Sequence, residues 1–397
     1  MSKIFALNAG SSSLKFSIFE IPSEEVVASG LIDRIGLNDS NVVIKYNGEK
    51  FTDVKDVPDH DVATKILLEK LKTLGIIKNI DEIAGTGHRV VAGGEVFKDS
   101  LLIGEDELNQ IDALSEYAPL HNPAEVKVIR AFHKLLPGKP AVGVFDTSFH
   151  TTMPAENYLY GVPYEYYEKY GARKYGAHGT SHKYVSLRCA ELMGKKPEEV
   201  NIITCHVGNG ASITAVKKGK SIDTSMGFTP VAGVVMGTRS GDVDPSMLAY
   251  IMEKEHIDMT EMLRILNNES GLKGLSGVSS DMRDVEEAMA KGNKRAKIAL
   301  DVYISAVRRY VGSYLAELNG ADAIVFTAGV GENSAPFREQ VLADMENLGL
   351  KIDKERNEST KEGLISTDDS RVKVYVIPTD EELMIVRDTV RLGHINA

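Results

Sequence analysis

Two Gly-rich turns and four loops hold most of the side chains able to do chemistry. "NAGSSSLKF" (Asn8 to Phe16) and "VGNGAS" (Val207 to Ser212) each join an apolar run to a second apolar run through glycine, serine and asparagine. Such a turn lets backbone N–H groups and hydroxyls close on an anion as a nest for phosphate oxygens, and two of them could clamp one polyphosphate. For either turn alone the other reading is a solvated hairpin connection. "IVFTAGVGENS" (Ile324 to Ser334) runs an apolar strand into Gly-x-Gly-Glu-Asn, a close backbone passage of the kind a ribose and base can use. Neither a G-x-x-x-x-G-K-[ST] run nor a strand followed by G-x-G-x-x-G with its downstream acid occurs, so Walker-type and dinucleotide sites are not supported.

The charged loops add cations. "GTGHRVVAGGE" places Arg89 directly after an apolar strand, and "MGTRSGDVDP" sets Arg239 among glycines and aspartates. An arginine in such a loop is either an oxyanion ligand or a surface charge. "YGAHGTSH" puts His178 just before a helix that Thr180 or Ser181 should cap. His178 and His182 have the spacing of two metal ligands on a helix, but the glutamate of H-E-x-x-H is missing, so no zinc site is expected. His121 in "APLHNP" and His206 read as structural when taken alone.

These loops need strands to hold them. Strands are expected at Ile4 to Leu7, Leu14 to Ile18, Glu82 to Gly85, Ala141 to Phe145, Asn201 to Cys205, Ile213 to Val216, Ala323 to Thr327 and Lys373 to Ile377. Helical spacing marks His60 to Leu74 and Arg295 to Leu318. The alternation is that of an α/β protein. Shifting the chain by 198 residues lays "NIITCHVGNGASITAV" over "KIFALNAGSSSLKFSI", with His206 on Asn8 and Gly208 on Gly10, which points to duplicated domains. A length of 397 residues with 43% hydrophobic content also favours two cores. A net charge of -11 without long basic runs argues against nucleic acid or an anionic membrane as partner. Two cysteines, no membrane-length apolar run and no apolar signal core lead to a cytoplasmic expectation.

In order along the chain, "NAGSSSLKF", "GHRVVAGGE", "HNP", "FDTSFH", "YGAHGTSH", "HVGNGAS", "MGFTP" with "MGTRSGDVDP", "FTAGVGENS" and "IPTDEEL" closely resemble the motifs of the acetate kinases. The resemblance implies an α/β fold of two duplicated ribonuclease-H-like, actin-like ATPase domains with the active site in the interdomain cleft. The expected division is 1–148 with 380–397, and 149–379 carrying the nucleotide-binding loops. It implies reversible, Mg²⁺-dependent transfer between ATP and acetate giving acetyl phosphate and ADP by direct in-line transfer, with Mn²⁺ as another cation and a homodimer as the assembly. A carboxylate acceptor is already ionised at neutral pH, so no base is needed; repulsion between anions is the obstacle, and cationic positioning the remedy.

Carried over by motif, Arg89, Asp146, His178 and Arg239 are the expected catalytic residues. Arg239 would steady the transferring group, Arg89 orient acetate, His178 donate a hydrogen bond, and Asp146 organise the cation or an arginine. Glu381 and Asn8 would attend the metal, while Glu382 reads as a solvated charge at a helix start. ATP would meet Ser11, Ser13, Lys15, His206, Gly208, Asn209 and Gly210 along its phosphates, and Asp281, Met282, Arg283, Gly329, Val330, Gly331 and Asn333 near its nucleoside. The acyl niche maps to Arg89, Val91, Leu120, Ala177 and Pro230. Position 177 is commonly phenylalanine in the family, so alanine there should leave room for propionate. Alternatives are therefore a propionate or broader short-chain acyl kinase, and a non-catalytic actin-like ATP-binding protein. The helix at Arg295 to Leu318 could serve a subunit contact or the core.

Overall fold

A computed structural model describes residues 2–118 and 121–395, so Leu120 lies outside the described residues. The chain divides into two compact units, Met1–Phe149 with Asp380–Ala397, and His150–Thr379.

The first unit is built on eight strands: β1 (Ser2–Gly10), β2 (Ser13–Ile21), β3 (Glu25–Asp33), β4 (Ser40–Tyr46), β5 (Glu49–Lys55), β6 (Ile83–Val90), β7 (Leu101–Leu102) and β8 (Ala141–Phe145). Their order across the sheet is β5-β4-β3-β2-β1-β6-β8-β7, with β1, β6 and β8 parallel neighbours. Side chains alternate along β1. Phe5 and Leu7 join the core that contains Ile66 and Leu67 of the helix His60–Thr73 and Val128 and Phe132 of the helix Asn122–Leu135. Ile4 and Ala6 face the other way and pack with Ile385 and Val386 of the C-terminal helix Glu381–Leu392. A Cβ on Gly87 of β6 would sit 2.4 Å from Ile385, so only glycine lets that helix lie so close to the sheet. Arg89, two residues on, shares Gly87's face.

The second unit repeats the pattern with β9 (Asn201–Val207), β10 (Ala211–Lys217), β11 (Lys220–Thr224), β12 (Ala323–Thr327), β13 (Gly363–Leu364) and β14 (Lys373–Val376). The order is β11-β10-β9-β12-β14-β13. As β1 pairs antiparallel with β2 and parallel with β6, so β9 pairs antiparallel with β10 and parallel with β12. Ile203, Cys205 and Val207 of β9 pack with the core that contains Tyr303, Val307 and Val311 of the helix Lys294–Glu317. Those residues of the helix therefore belong to the core, while Ile298 on the same helix is exposed. Thr204 and His206 point to the opposite face, under the helix Gly179–Leu192.

Three expectations change. "GVGENS" is not an open loop: the helix Ala328–Asn333 starts directly after β12, with Ala328 at a left-handed φ of 64°. Neither Thr180 nor Ser181 caps the next helix, because His178 itself is the cap residue, at φ 58°. Strands β3 to β5 extend the first sheet beyond the predicted hairpin. Cys189 and Cys205 are both fully buried, and burial pushes both thiols up, Cys189 to about 12. No helix among the described residues is long and apolar enough to cross a membrane.

Candidate active site

In the first unit the carboxyl ends of the adjacent strands β1, β6 and β8 bring together Asn8, Arg89 and Asp146. Arg89 Nε donates to both Asp146 oxygens at 3.1 and 3.0 Å, Nη2 reaches Oδ2 at 2.5 Å, and Nη1 donates to Asn8 Oδ1 at 3.2 Å. The guanidinium is thus held from two strands and its pKa is raised, chiefly by the Asp146 charge. Asp146 organises an arginine directly, and Glu381 is a nearby carboxylate that could hold a cation. Burial, followed by the Asp146 charge, pushes Glu381 up to about 7 against the pull of Arg89 and Lys15. A carboxylate denied full ionisation by its surroundings gains from a nearby cation, and a single such ligand suits a divalent ion that keeps most of its waters.

Glu382 is not merely a solvated charge. It pairs with Lys15 Nζ at 2.6 Å and accepts from Ser17 Oγ at 2.6 Å. Lys15, expected on the phosphate, is in this structure tied to that carboxylate across β2. Ser11 is exposed in the two-residue turn that closes β1 on β2, and Ser13 opens β2 opposite Gly10.

The "HNP" segment has a physical role that motif spacing alone did not reveal. Asn122 Oδ1 accepts from Ala92 N–H at 3.2 Å while its Nδ2 donates to Ala92 O at 3.1 Å. Glu125 Oε2 accepts from Val91 N–H at 3.2 Å. The stretch following Arg89 is therefore pinned by one helix start. Glu125 is buried, its Oε1 has no partner among the described residues, and burial pushes it up to about 8, against Arg89 and the Val91 hydrogen bond. Its folded pKa lies above the ordinary 4.5, so the folded state holds an extra proton between those values. Stability from this group is complete below about pH 5 and falls as pH rises towards 8. Glu125→Gln, which keeps an acceptor for Val91, should show a shallower loss of Tm between pH 5 and 8 in the ligand-free enzyme. Equal slopes for variant and parent would refute this protonation state.

In the second unit the β9–β10 turn is the centre. Gly208 N–H donates to Gly210 O at 3.0 Å, and Asn209 O accepts from Gly237 N–H at 2.9 Å. A Cβ on Gly237 would come within 2.0 Å of Asn209 Oδ1, so glycine is required for the two loops to dock. A Cβ built on Gly210 would lie 3.4 Å from Arg239 Nη1 and 3.5 Å from His178 Nε2, so both side chains converge above that turn. His178 stacks on His206 with centroids 4.1 Å apart, and its Nδ1 meets Ser212 Oγ at 2.8 Å. Arg239 touches only Pro230 O at 3.5 Å and Met236 Sδ at 3.7 Å, with no carboxylate among the described residues, and burial lowers its pKa. Its loop is clasped by Asp242, which accepts from Gly233 N–H at 2.8 Å and from Tyr310 Oη at 2.5 Å.

A cavity of about 840 Å³ opens beside this turn, lined by Gly208, Asn209, Asp281, Met282, Gly329 and Asn333 among others. Val330 and Arg283 also line it, the latter paired with Asp281 at 2.6 Å. Gly331 does not: it is buried against Phe326 and its carbonyl accepts from Arg338 Nη1 at 2.8 Å. An arginine without a counter-ion and an imidazole, set over a Gly-rich turn at the mouth of a nucleoside-sized cavity, can bind and neutralise phosphoryl oxygens.

Comparison with known proteins agrees with this chemistry. The acetokinase family model matches residues 3–387. The chain belongs to the acetokinase family. It is 58% identical to the acetate kinase of Bacillus subtilis (strain 168) over 394 residues, covering 99% of this chain and 100% of that protein. The crystal structure of Porphyromonas gingivalis acetate kinase superposes with TM-score 0.96 at 46% identity, covering 99% and 100% of the two chains. A propionate kinase from Francisella tularensis subsp. tularensis SCHU S4 superposes at TM-score 0.91 and 43% identity, with 99% and 100% coverage. The fold is thus the mixed α/β, two-sheet, actin-like ATPase fold of the acetate kinases, and the activity is phosphoryl transfer to a carboxyl group. That overturns the non-catalytic alternative.

Of the acyl-niche residues, Val91 follows β6, Ala177 is 8% exposed within the second unit's core, and Pro230 is exposed beside Arg239. Motif reading passed over Glu125, Asn122, Ser212, Asp242 and Tyr310. Each acts on a neighbour's backbone or ring except Tyr310, which donates to the Asp242 carboxylate, and only the "HNP" and "SGDVDP" strings hinted at two of them.

Proposed function

We propose that this acetokinase moves the γ-phosphoryl group of ATP reversibly and in line to acetate, giving acetyl phosphate and ADP, and accepts propionate as well. The observation that carries the reading is Arg239, a guanidinium with no carboxylate partner among the described residues, converging with His178 over the Gly210 turn. Arg239 and His178 neutralise the equatorial oxygens of the loose transition state. Arg89, already oriented by Asp146 and Asn8, turns the acceptor carboxylate with its remaining N–H donors. No side chain need remove a proton, because the acceptor is ionised. Asp281, Met282, Gly329, Val330 and Asn333 hold the nucleoside, and Gly208, Asn209 and Gly210 its phosphates. His206 supports His178 by stacking.

Glu381 would hold Mg²⁺, or Mn²⁺ in its place, with Asn8, whose Oδ1 accepts from Arg89, as a polar neighbour of that arginine. When bound, the ion supplies charge neutralisation to the phosphate oxygens. The working form is a cytoplasmic homodimer, for which the exposed Tyr164, Tyr170 and Tyr250 offer apolar surface.

Ala177 favours the broader acyl reading, since a missing ring beside the acyl chain leaves room for added carbons. Acyl phosphates trapped as hydroxamates from acetate, propionate and butyrate measure this directly. Ala177→Phe should lower kcat/KM for propionate relative to acetate by about 10-fold, within the range for one methylene in a tight pocket. An unchanged ratio would remove Ala177 as the determinant.

A further inference from the structure

Between β9, β10 and the helix Gly179–Leu192 lies a line of buried polar side chains that ends at His178. His178 Nδ1 meets Ser212 Oγ at 2.8 Å; the same oxygen meets His182 Nε2 at 2.7 Å; His182 Nδ1 meets Thr204 Oγ1 at 2.7 Å. Ser212, His182 and Thr204 are all fully buried. Such a chain can be ordered in either direction, and the direction decides which His178 nitrogen carries a proton.

Only one direction gives every buried proton of the line an acceptor. Suppose His182 Nδ1 donated to Thr204. The threonine hydroxyl would then need an acceptor of its own, and among the described residues its oxygen meets only His182. A buried donor would be left unmet, which folded proteins avoid. In the reverse order Thr204 O–H donates to His182 Nδ1, and His182 Nε2–H donates to Ser212 Oγ. Ser212 O–H is then left to donate to His178 Nδ1. Neutral His178 must hold its own proton on Nε2, the edge that faces the Gly210 turn. An imidazolium would be disfavoured there, because its Nδ1–H would confront the serine proton. The stacked His206 ring and the Arg239 guanidinium over the same turn act in the same sense.

We propose that Thr204, His182 and Ser212 form a proton-ordered relay that fixes His178 as the neutral Nε2–H tautomer aimed over the phosphate turn. The three are positioning residues. The proposal deepens the reading of His178 as a donor to the transferring group and rests on it for its kinetic consequence, though not for the tautomer itself. Buried imidazole is also disfavoured as a cation, and His182 is held far below its usual range by burial.

The test uses the full chain labelled with ¹⁵N-histidine and long-range ¹H–¹⁵N correlation without ligands, His178 being assigned by the signals lost in His178→Asn. Expected is a pyrrole-type Nε2 and a pyridine-type Nδ1 for His178. Thr204→Val removes the hydroxyl while keeping the side chain's shape. It should leave His178 a mixture of tautomers and lower kcat about 10-fold with KM for ATP and acetate nearly unchanged, in line with a misplaced reacting group. Thr204→Ser should restore both signals and rate. A protonated Nδ1 or a cationic ring in the parent protein would overturn the relay, even if no variant folds, and so would an unchanged tautomer in Thr204→Val. A shifted tautomer with undiminished kcat would support the relay and overturn the catalytic reading of His178.

Discussion

Arg239→Ala is expected to slow acetyl phosphate formation by on the order of 10³-fold or more, the range for losing a transition-state arginine in phosphoryl transfer. The reasoning rests on what Arg239 does not touch. A guanidinium neutralised by a carboxylate has little charge left to offer a substrate, whereas among the described residues Arg239 meets only a carbonyl and a thioether. Partial burial with no counter-ion among the described residues favours an anion beside it. Because no ion pair is broken, stability should change by no more than about 1 kcal/mol. Steady-state rates in both directions, alongside thermal unfolding, check the two halves. Near-normal turnover would end the assignment, and Arg239→Lys should recover only part of the rate, since a point charge cannot span two oxygens.

Arg89→Ala should be equally damaging to rate, again about 10³-fold, but with a different stability signature. Asp146 is 2% exposed and its two oxygens lean on Arg89. Truncating the arginine strands that carboxylate near Glu381, whose own ionisation Asp146 already opposes. Breaking such a pair should destabilise the protein by roughly 2–4 kcal/mol, the lower side of the penalty because the guanidinium is partly open to water. The double variant Arg89→Ala with Asp146→Asn should regain much of the stability and none of the rate. Were Arg89→Ala as stable as its parent, the ion pair would not be what holds this corner of the first unit.

Much of this was readable before any coordinates. The two hairpins were legible because β1–β2 and β9–β10 each present apolar runs on either side of a Gly-containing turn, and the shift that superposes them reflects one sheet topology used twice. Strands β3 to β5 were not, since half of their residues face solvent and no apolar run stands out; β5 has no buried residue at all. The helix Ala328–Asn333 looked like a loop because Gly, Gly and Asn are poor helix formers, and its packing against β12 overrides that preference. At the site, Arg89 and Arg239 were visible as cations in Gly-rich loops, but their difference was not. Asp146 lies 57 residues from Arg89 and Glu382 is 365 from Ser17, and such distant pairings leave no local pattern. Glu125, Ser212 and Thr204 look like ordinary helix and strand residues until the fold gives Glu125 the Val91 N–H and gives Ser212 and Thr204 the histidine rings as partners.

Cys189 and Cys205 both lie in the second unit, sealed from solvent and held as thiols. A thiolate-seeking reagent such as iodoacetamide can therefore label the chain only when that half opens, so the alkylation rate is a clock for its breathing that needs no engineered tag. Nucleotide held in the cavity beside Gly208 would slow that clock, whereas events confined to the other half leave it running.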